Sequence, residues 1–308
     1  MKKSSIITNP VYQDLKDNKL VFNKDIITIS NKTRDSKIAV LKDKKTKVIF
    51  LKKFSTGNKY YKKVKSHDKR SIIEKSKKRI NKVSTSKGNI ITPYLEDDIR
   101  RAKKYKKIFQ KREILDYGCG WGNFLSLLKN NSSKCGVEIG DEFIKFINSK
   151  YKSIKIKKNI NDFTEKFDYI TLFHVLHYLP NQIEILKILR SKLKKNGKII
   201  IEVPNANDFL LQFDNFDNFK NFTFCKEQLI LHTEQSLKGF LKKAGFKNIK
   251  IEHYQRYNIN NHLGWFVNNK PGGHKYFQKV FDYSMITNYS NFLKKLKMTD
   301  TLIVVAKK

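Results

Sequence analysis

Asp116-Tyr117-Gly118-Cys119-Gly120-Trp121-Gly122 sets three glycines at alternate positions directly behind a carboxylate. Glycines in such a row let a backbone turn tightly and approach a ligand closely, and a helix starting there would offer its free N–H groups. Glu138 lies 20 residues beyond Gly118, the separation at which a carboxylate on the next strand receives the two hydroxyls of a ribose. Spacing then separates two classes of nucleoside binder. The dinucleotide fingerprint G-x-G-x-x-G needs glycine at position 123, which is Asn123 here. D-x-G-x-G-x-G, with an acid ahead of the first glycine, suits a cofactor that carries no phosphate.

Seven histidines are available for proton transfer. His174 and His177 follow the apolar run 167–173, where a strand would open onto the C-terminal edge of a sheet and its ligand crevice. His262 and His274 lie in residues 256–298 among Tyr257, Trp265, Phe266, Tyr276, Phe277, Phe281 and Tyr283. Aromatic faces beside amides and imidazoles suit a sugar ring, so Asn261, Trp265 and His274 are expected to contact the acceptor. His177, His262 and His174 are the candidate bases, since imidazole exchanges protons near neutral pH. Phe277 and Phe281, four apart, read equally well as core. His232 reads as a helix cap, and His67 and His253 as incidental. Cys119, Cys135 and Cys225 form no CxxC pair or Cys/His cluster, so neither a metal nor a disulfide scaffold is expected. That cysteine usage fits a reducing cytoplasm.

Alternating elements must position these residues. Strands are expected at 113–117, 134–139, 154–157, 167–173, 198–203, 247–253 and 301–306. Helices are expected at 122–129, 141–150, 182–194 and 233–244, the last stopped by Gly245. Buried β-branched strands at this spacing predict an α/β fold, a parallel sheet with helices on both faces. Ahead of it, Lys37-Ile-Ala-Val-Leu-Lys42 and Lys47-Val-Ile-Phe-Leu-Lys52 predict a hairpin around 43–46. Residues 59–83 are strongly basic with a helix expected near 72–80, residues 84–88 read as a linker, and a helix starts after Thr92-Pro93 and runs to about 110. The division expected is an N-terminal hairpin and basic helical extension over 1–110, then a catalytic domain over 111–308 with an insertion at 256–298 that closes over the crevice.

Charge bears on partners. Lys and Arg number 65 against 28 Asp and Glu, a net charge of +37. Residues 1–110 hold 32 basic and 10 acidic residues, and 111–308 hold 33 and 18. The excess is nearly all lysine, spread over every segment, which reads first as a solvated surface and second as a field that draws in anions. With 39% hydrophobic residues the chain can build a core. No apolar run approaches the roughly 20 residues of a membrane span.

In its motifs the chain resembles the class I S-adenosylmethionine-dependent methyltransferases. Ile114 to Phe124 matches the first motif, Gly136-Val-Glu-Ile-Gly140 holds the ribose acid, and Asn161-Asp162-Phe163 stands where a polar pair faces adenine. Residues 167–180 match the fourth-strand motif and 193–204 the fifth. The resemblance covers 113–308 and implies a Rossmann-like seven-stranded sheet whose last strand, 301–306, is antiparallel. It implies S-adenosylmethionine as cofactor, lined by Gly118, Gly120 and Gly122, with Asp116 near the methionine part, Glu138 on the ribose, and Asp162 and Phe163 at the adenine. Phe173 and His174 would border the sulfonium side. His232 to Phe246, the 33–41 hairpin and the 97–103 helix are similar to segments of methyltransferases from sugar and surface-polysaccharide gene clusters. The cysteines needed by the N-terminal zinc module of some of these relatives are missing here. The acceptor implied is a nucleotide- or lipid-linked sugar, an anionic small molecule methylated on a hydroxyl or a carbon. RNA-directed methylation is the alternative, as is a basic nucleic-acid-binding protein on a degenerate fold. Against RNA, no Asn/Asp-Pro-Pro-aromatic turn follows the fourth strand, which continues instead into His174-Val-Leu-His-Tyr-Leu-Pro180, and Cys225 has no Pro-Cys context.

Overall fold

Asp43 shows how the N-terminal residues are folded. Its carboxylate accepts from the backbone N–H groups of Lys45 and Thr46 at 2.9 and 2.8 Å on Oδ1, and of Phe22 at 2.9 Å on Oδ2. Lys47 then takes a left-handed φ of 62° and closes the turn. In the computed structural model, which describes residues 6–56, 82–85, 88–91, 96–130, 133–277 and 280–308, helix α1 (Val11–Asp17) and strand β1 (Ile26–Ser30) precede this turn. Strands β2 (Val40–Asp43) and β3 (Ile49–Leu51) flank it as the expected hairpin, with Leu41 opposite Phe50. The expected 84–88 linker is corrected: β4 (Lys82–Thr85) and β5 (Gly88–Ile91) form an antiparallel pair. The helix expected near 72–80 lies outside the described residues.

The helix after Pro93 is α2 (Glu96–Tyr105), and its three first-turn acids complement the helix dipole. The alternation then follows the sequence closely. It runs β6 (Glu113–Tyr117), α3 (Asn123–Leu127), β7 (Ser133–Val137), α4 (Asp141–Lys150), β8 (Ile154–Lys157), β9 (Phe167–Phe173), α5 (Gln182–Ser191) and β10 (Leu193–Pro204). Next come α6 (Asp217–Thr223), β11 (Ile230–Leu231), α7 (Glu234–Lys243) and β12 (Lys247–Tyr254). Three helices, α8 (Ile259–Asn268), α9 (Gly273–Tyr276) and α10 (Tyr283–Lys295), lead into β13 (Thr301–Lys307). Seven strands form one sheet in the order β12-β13-β10-β9-β6-β7-β8. β6 pairs in parallel with β7 and β9, and β7 with β8, whereas β12 and β13 are antiparallel. Ile114, Leu115, Ile170 and Leu172 are wholly buried, as strands covered on both faces must be.

Contacts divide the chain into two compact units. One comprises the described residues of Met1–Ser55, His174–Arg190 and Ile200–Lys307, the other those of Thr56–Phe173 and Ser191–Ile199 with Lys308. The expected boundary at residue 110 is therefore corrected. In the first unit β3 pairs with β11 in a four-stranded sheet, Ile230 opposite Phe50, and Asn9 donates to the carbonyls of both Leu51 and Leu229 at 2.8 Å. Ile38, Val40, Ile49 and Leu51 share one apolar cluster with Ala206, Phe219, Leu231 and Trp265. Short strands gain stability only by covering an apolar face, and these strands take theirs from residues some two hundred positions along the chain.

Candidate active site

In the second unit the strand–turn–helix at residues 113–127 supplies a ligand cradle. Gly118, Gly120 and Gly122 have φ of 76°, 52° and 70°, a region that L side chains seldom enter. The turn is tied to the next strand: Gly118 and Cys119 donate to the Val137 carbonyl at 2.8 and 3.1 Å. A Cβ on Gly120 would meet nothing within 4 Å, so the backbone there faces open space. Glu138 looks onto the same turn. Its Oε2 accepts from Gly120 N–H at 3.0 Å and Oε1 accepts from Ile139 and Gly140 N–H at 2.8 and 2.9 Å. Burial raises its pKa, and the three N–H groups pull the other way. A fixed carboxylate beside an open, glycine-walled turn fits the sugar of a nucleoside cofactor.

Asp116 sits beneath the turn, 4% exposed, with Oδ1 accepting from the Thr171 hydroxyl at 2.6 Å. Burial pushes its pKa up to about 7, against the Thr171 bond and the charge of Arg101. Arg101 of α2 is buried and places its guanidinium 4.6 Å from the centre of the Phe173 ring. Phe173 is half-buried, stacked on Tyr105 at 6.1 Å and edge-on to Phe124 at 4.9 Å. Asp162 is exposed, the last residue of the short helical turn Ile160–Asp162 that Asn159 caps. Phe163 needs correction: it is fully buried, edge-on to Phe167 at 5.8 Å, so its ring has no free face for adenine.

In the first unit the four expected acceptor-side histidines separate. His174 takes a left-handed φ of 56°, with its N–H bonded to the Glu202 carbonyl at 2.8 Å. That bend sets its Nε2 3.2 Å from Oε1 of Glu202, whose side chain is fully buried while the imidazole keeps 21% exposure. His177 is corrected as a base. It is 1% exposed, and burial with the neighbouring His174 and His232 drives its pKa well below 6.5, so a surface acceptor cannot reach it and it holds protons poorly. Its Nδ1 has no hydrogen-bond partner among the described residues.

His262 is corrected too. Nδ1 lies 2.7 Å from the Tyr289 hydroxyl, Nε2 lies 3.2 Å from the Gln255 amide, and Phe209 stacks on the ring at 5.9 Å. With both nitrogens bonded, and burial lowering its pKa to about 4, it is a core imidazole. Trp265 is 3% exposed and packs edge-on against Phe219 at 5.1 Å, and Asn261 is 6% exposed, so neither offers a face to a sugar. His274 falls in α9, and its side chain lies outside the described residues.

Residues 90–251, just over half of the chain, match the family described as Methyltransferase domain. The chain belongs to this family. Among curated relatives, the methyltransferase is 33% identical over 147 residues to an uncharacterised protein of Methanocaldococcus jannaschii, covering 46% of this chain and 59% of that one. It is 23% identical over 180 residues to a tRNA U34 carboxymethyltransferase of Campylobacter hominis, covering 54% and 58%. The chain thus spans a little over half the length of either relative. Among solved structures, phosphoethanolamine N-methyltransferase 2 of Haemonchus contortus, in complex with phosphomonomethylethanolamine and S-adenosylhomocysteine, aligns over 84% of this chain and 62% of that one at 13% identity and a TM-score of 0.50. A SAM-dependent methyltransferase of Archaeoglobus fulgidus aligns over 68% and 92% at 24% identity and a TM-score of 0.47. The class I S-adenosylmethionine-dependent methyltransferase fold that the motifs imply is the fold observed.

Sequence reasoning missed two groups of the methyltransferase. Glu202 read as one polar residue within the apolar strand 198–203, and that anomaly was the available signal: a carboxylate in a buried strand needs a partner. Arg101 was hidden among the many basic residues of 100–107.

Proposed function

We propose that this methyltransferase transfers the methyl group of S-adenosylmethionine to an anionic small molecule, a nucleotide- or lipid-linked sugar, with His174 as the base. When bound, the cofactor supplies a methyl group already activated by its sulfonium. The chain therefore has to hold the nucleoside, align the acceptor and take one proton. Glu138 would receive the ribose hydroxyls, Asp116 the positive charge of the methionine part, and the backbone of 118–122 the space between. His174 keeps 21% side-chain exposure, and the buried carboxylate of Glu202, 3.2 Å from its Nε2, is the group that would orient the ring for proton uptake. The observation that carries this reading is the row of left-handed glycines with open space before Gly120 and the Glu138 carboxylate fixed on them. A sugar acceptor rests on the sequence likeness of 232–246, and an anionic one on the charge of +37.

RNA is the second reading, favoured by the likeness to tRNA U34 carboxymethyltransferases. One experiment separates the two. The enzyme is incubated with methyl-labelled cofactor and either an anionic metabolite extract or total RNA, and labelled products are resolved by mass spectrometry. Label in metabolites that falls about 10²-fold in His174→Ala and Glu202→Gln, with cofactor affinity kept, supports the proposal. Label confined to RNA overturns the acceptor, and full turnover in both variants overturns the base.

A further inference from the structure

Apolar side chains left in water are concentrated in one stretch of this protein. Of the seventeen large apolar side chains exposed among the described residues, nine fall within residues 257–296. On α10, Met285 and Phe292, with Leu296 just past the helix end, lie at i, i+7 and i+11 and therefore on one stripe, 51%, 51% and 42% exposed. The side adjoining that stripe is anchored, since Leu293 is wholly buried and the Tyr289 hydroxyl is bonded to His262. At the end of α8, Phe266 and Val267 are 46% and 60% exposed. Phe266 still packs on Phe216 at 5.5 Å and edge-on to Phe213 at 5.3 Å, whereas the α10 stripe and Val267 are left largely in water.

Charge identifies what covers it. Residues 256–298 contain seven Lys and Arg and a single acid, Asp282, and that acid is engaged as the N-cap of α10, accepting from Met285 N–H at 2.7 Å. Lys295, three positions on from Phe292, is exposed and borders the stripe, and Lys270 is exposed just past the end of α8. An apolar stripe edged by ammonium groups suits the boundary between phosphate headgroups and acyl chains, where both kinds of group are satisfied together. A second copy would set this basic stretch against itself, with like charges opposed. RNA would take up the charge and leave Val267, Met285 and Leu296 in water. We propose that α10 and the C-terminal end of α8 dock on an anionic lipid bilayer, the apolar stripe entering the headgroup boundary and lysines such as Lys270 and Lys295 meeting lipid phosphates. The surface alone carries this inference, which does not depend on which acceptor is methylated. It would bring the enzyme to where a lipid-linked acceptor is presented.

The test is co-sedimentation of the full chain with vesicles of phosphatidylcholine alone or mixed equally with phosphatidylglycerol. Binding to the mixed vesicles is expected, with partitioning at least about tenfold lower for the Phe292→Ser/Leu296→Ser double variant. Ile108→Ser, exposed outside the stretch, should bind as the parent does. Calorimetry with S-adenosylhomocysteine confirms that each variant retains the folded cofactor site. Because +37 alone draws the chain to anionic surfaces, equal partitioning of the double variant and parent overturns the proposal. So does a concentration-dependent dimer that the double variant abolishes while vesicle binding is unchanged, and so does binding to RNA with none to vesicles.

Discussion

Titration of Asp116 should give cofactor affinity a defined slope. Burial pushes the carboxyl up to about 7, so the carboxylate form is about half populated at pH 7 and about a tenth populated at pH 6. If the carboxylate is the form that meets the positive charge of the methionine part, linkage makes affinity rise about fivefold from pH 6 to pH 7. The rise flattens toward pH 8, because the carboxylate is by then about nine-tenths populated. Asp116→Asn retains an acceptor for the Thr171 hydroxyl, which lies 2.6 Å from Oδ1, and removes the titrating proton. Its affinity should be weaker at pH 7.5 and nearly flat across the range. Isothermal titration calorimetry with S-adenosylhomocysteine, at fixed ionic strength between pH 6 and 7.5, measures both slopes. A flat profile in the parent, or the same slope in the Asn variant, refutes the placement of Asp116 beside the ligand's charge.

Glu138→Ala should weaken S-adenosylhomocysteine binding by about 1–3 kcal/mol, the loss of charge-assisted bonds to the ribose; calorimetry that finds parental affinity removes Glu138 from the site. Trp265→Ala should destabilise the fold by about 3–5 kcal/mol, read by urea denaturation, whereas a residue serving only the acceptor would leave stability unchanged. His262 has its pKa lowered to about 4 by burial, so its stability contribution is complete above an unfolded value near 6.5 and declines as pH falls through that value. Asp116 and Asp208, raised to about 7 and about 8, act in the opposite direction over the same window, gaining stability on acidification. The clean measurement is therefore a difference: His262→Gln should lose about 1.5 kcal/mol less stability than the parent between pH 6.5 and pH 5, and parallel stability profiles would show that the imidazole does not stay neutral.

The doubly wound region was legible because each of its elements carries a local signal. Strand 167–173 is an apolar run, the turn at 118–122 needs residues tolerant of positive φ, and Gly245 with φ 88° ends α7 where expected. Glu138 was legible for the same reason, since its distance from Gly118 is fixed by one strand–helix–strand repeat. The partner of the N-terminal hairpin was not. β11 is two residues long, Ile230 and Leu231, and pairs with β3 across about 180 positions. A two-residue strand has no period to detect, so the boundary drawn at residue 110 followed composition rather than contacts.

Residues 256–298 were misread for a more instructive reason. Asn261 and His262 have no apolar surface, which argued for a place at a ligand rather than in a core. Yet a polar side chain is buried readily once each donor and acceptor is matched, and the matches here come from Gln255 and from Tyr289, seven positions before and 27 after His262. Trp265 reached the interior on the same helix because Phe219 and Phe222 of α6 meet it there. His174 followed the reverse course. Its partner Glu202 stands in a strand of the same sheet, and only a backbone bent to φ 56° turns the imidazole toward that carboxylate. Residue type and spacing can nominate histidines, but the choice among them is made by the second nitrogen's partner and by the exposure left over. By both measures His174, its side chain 21% exposed and its Nε2 3.2 Å from the buried Glu202 carboxylate, is the histidine we propose to take a proton from an acceptor.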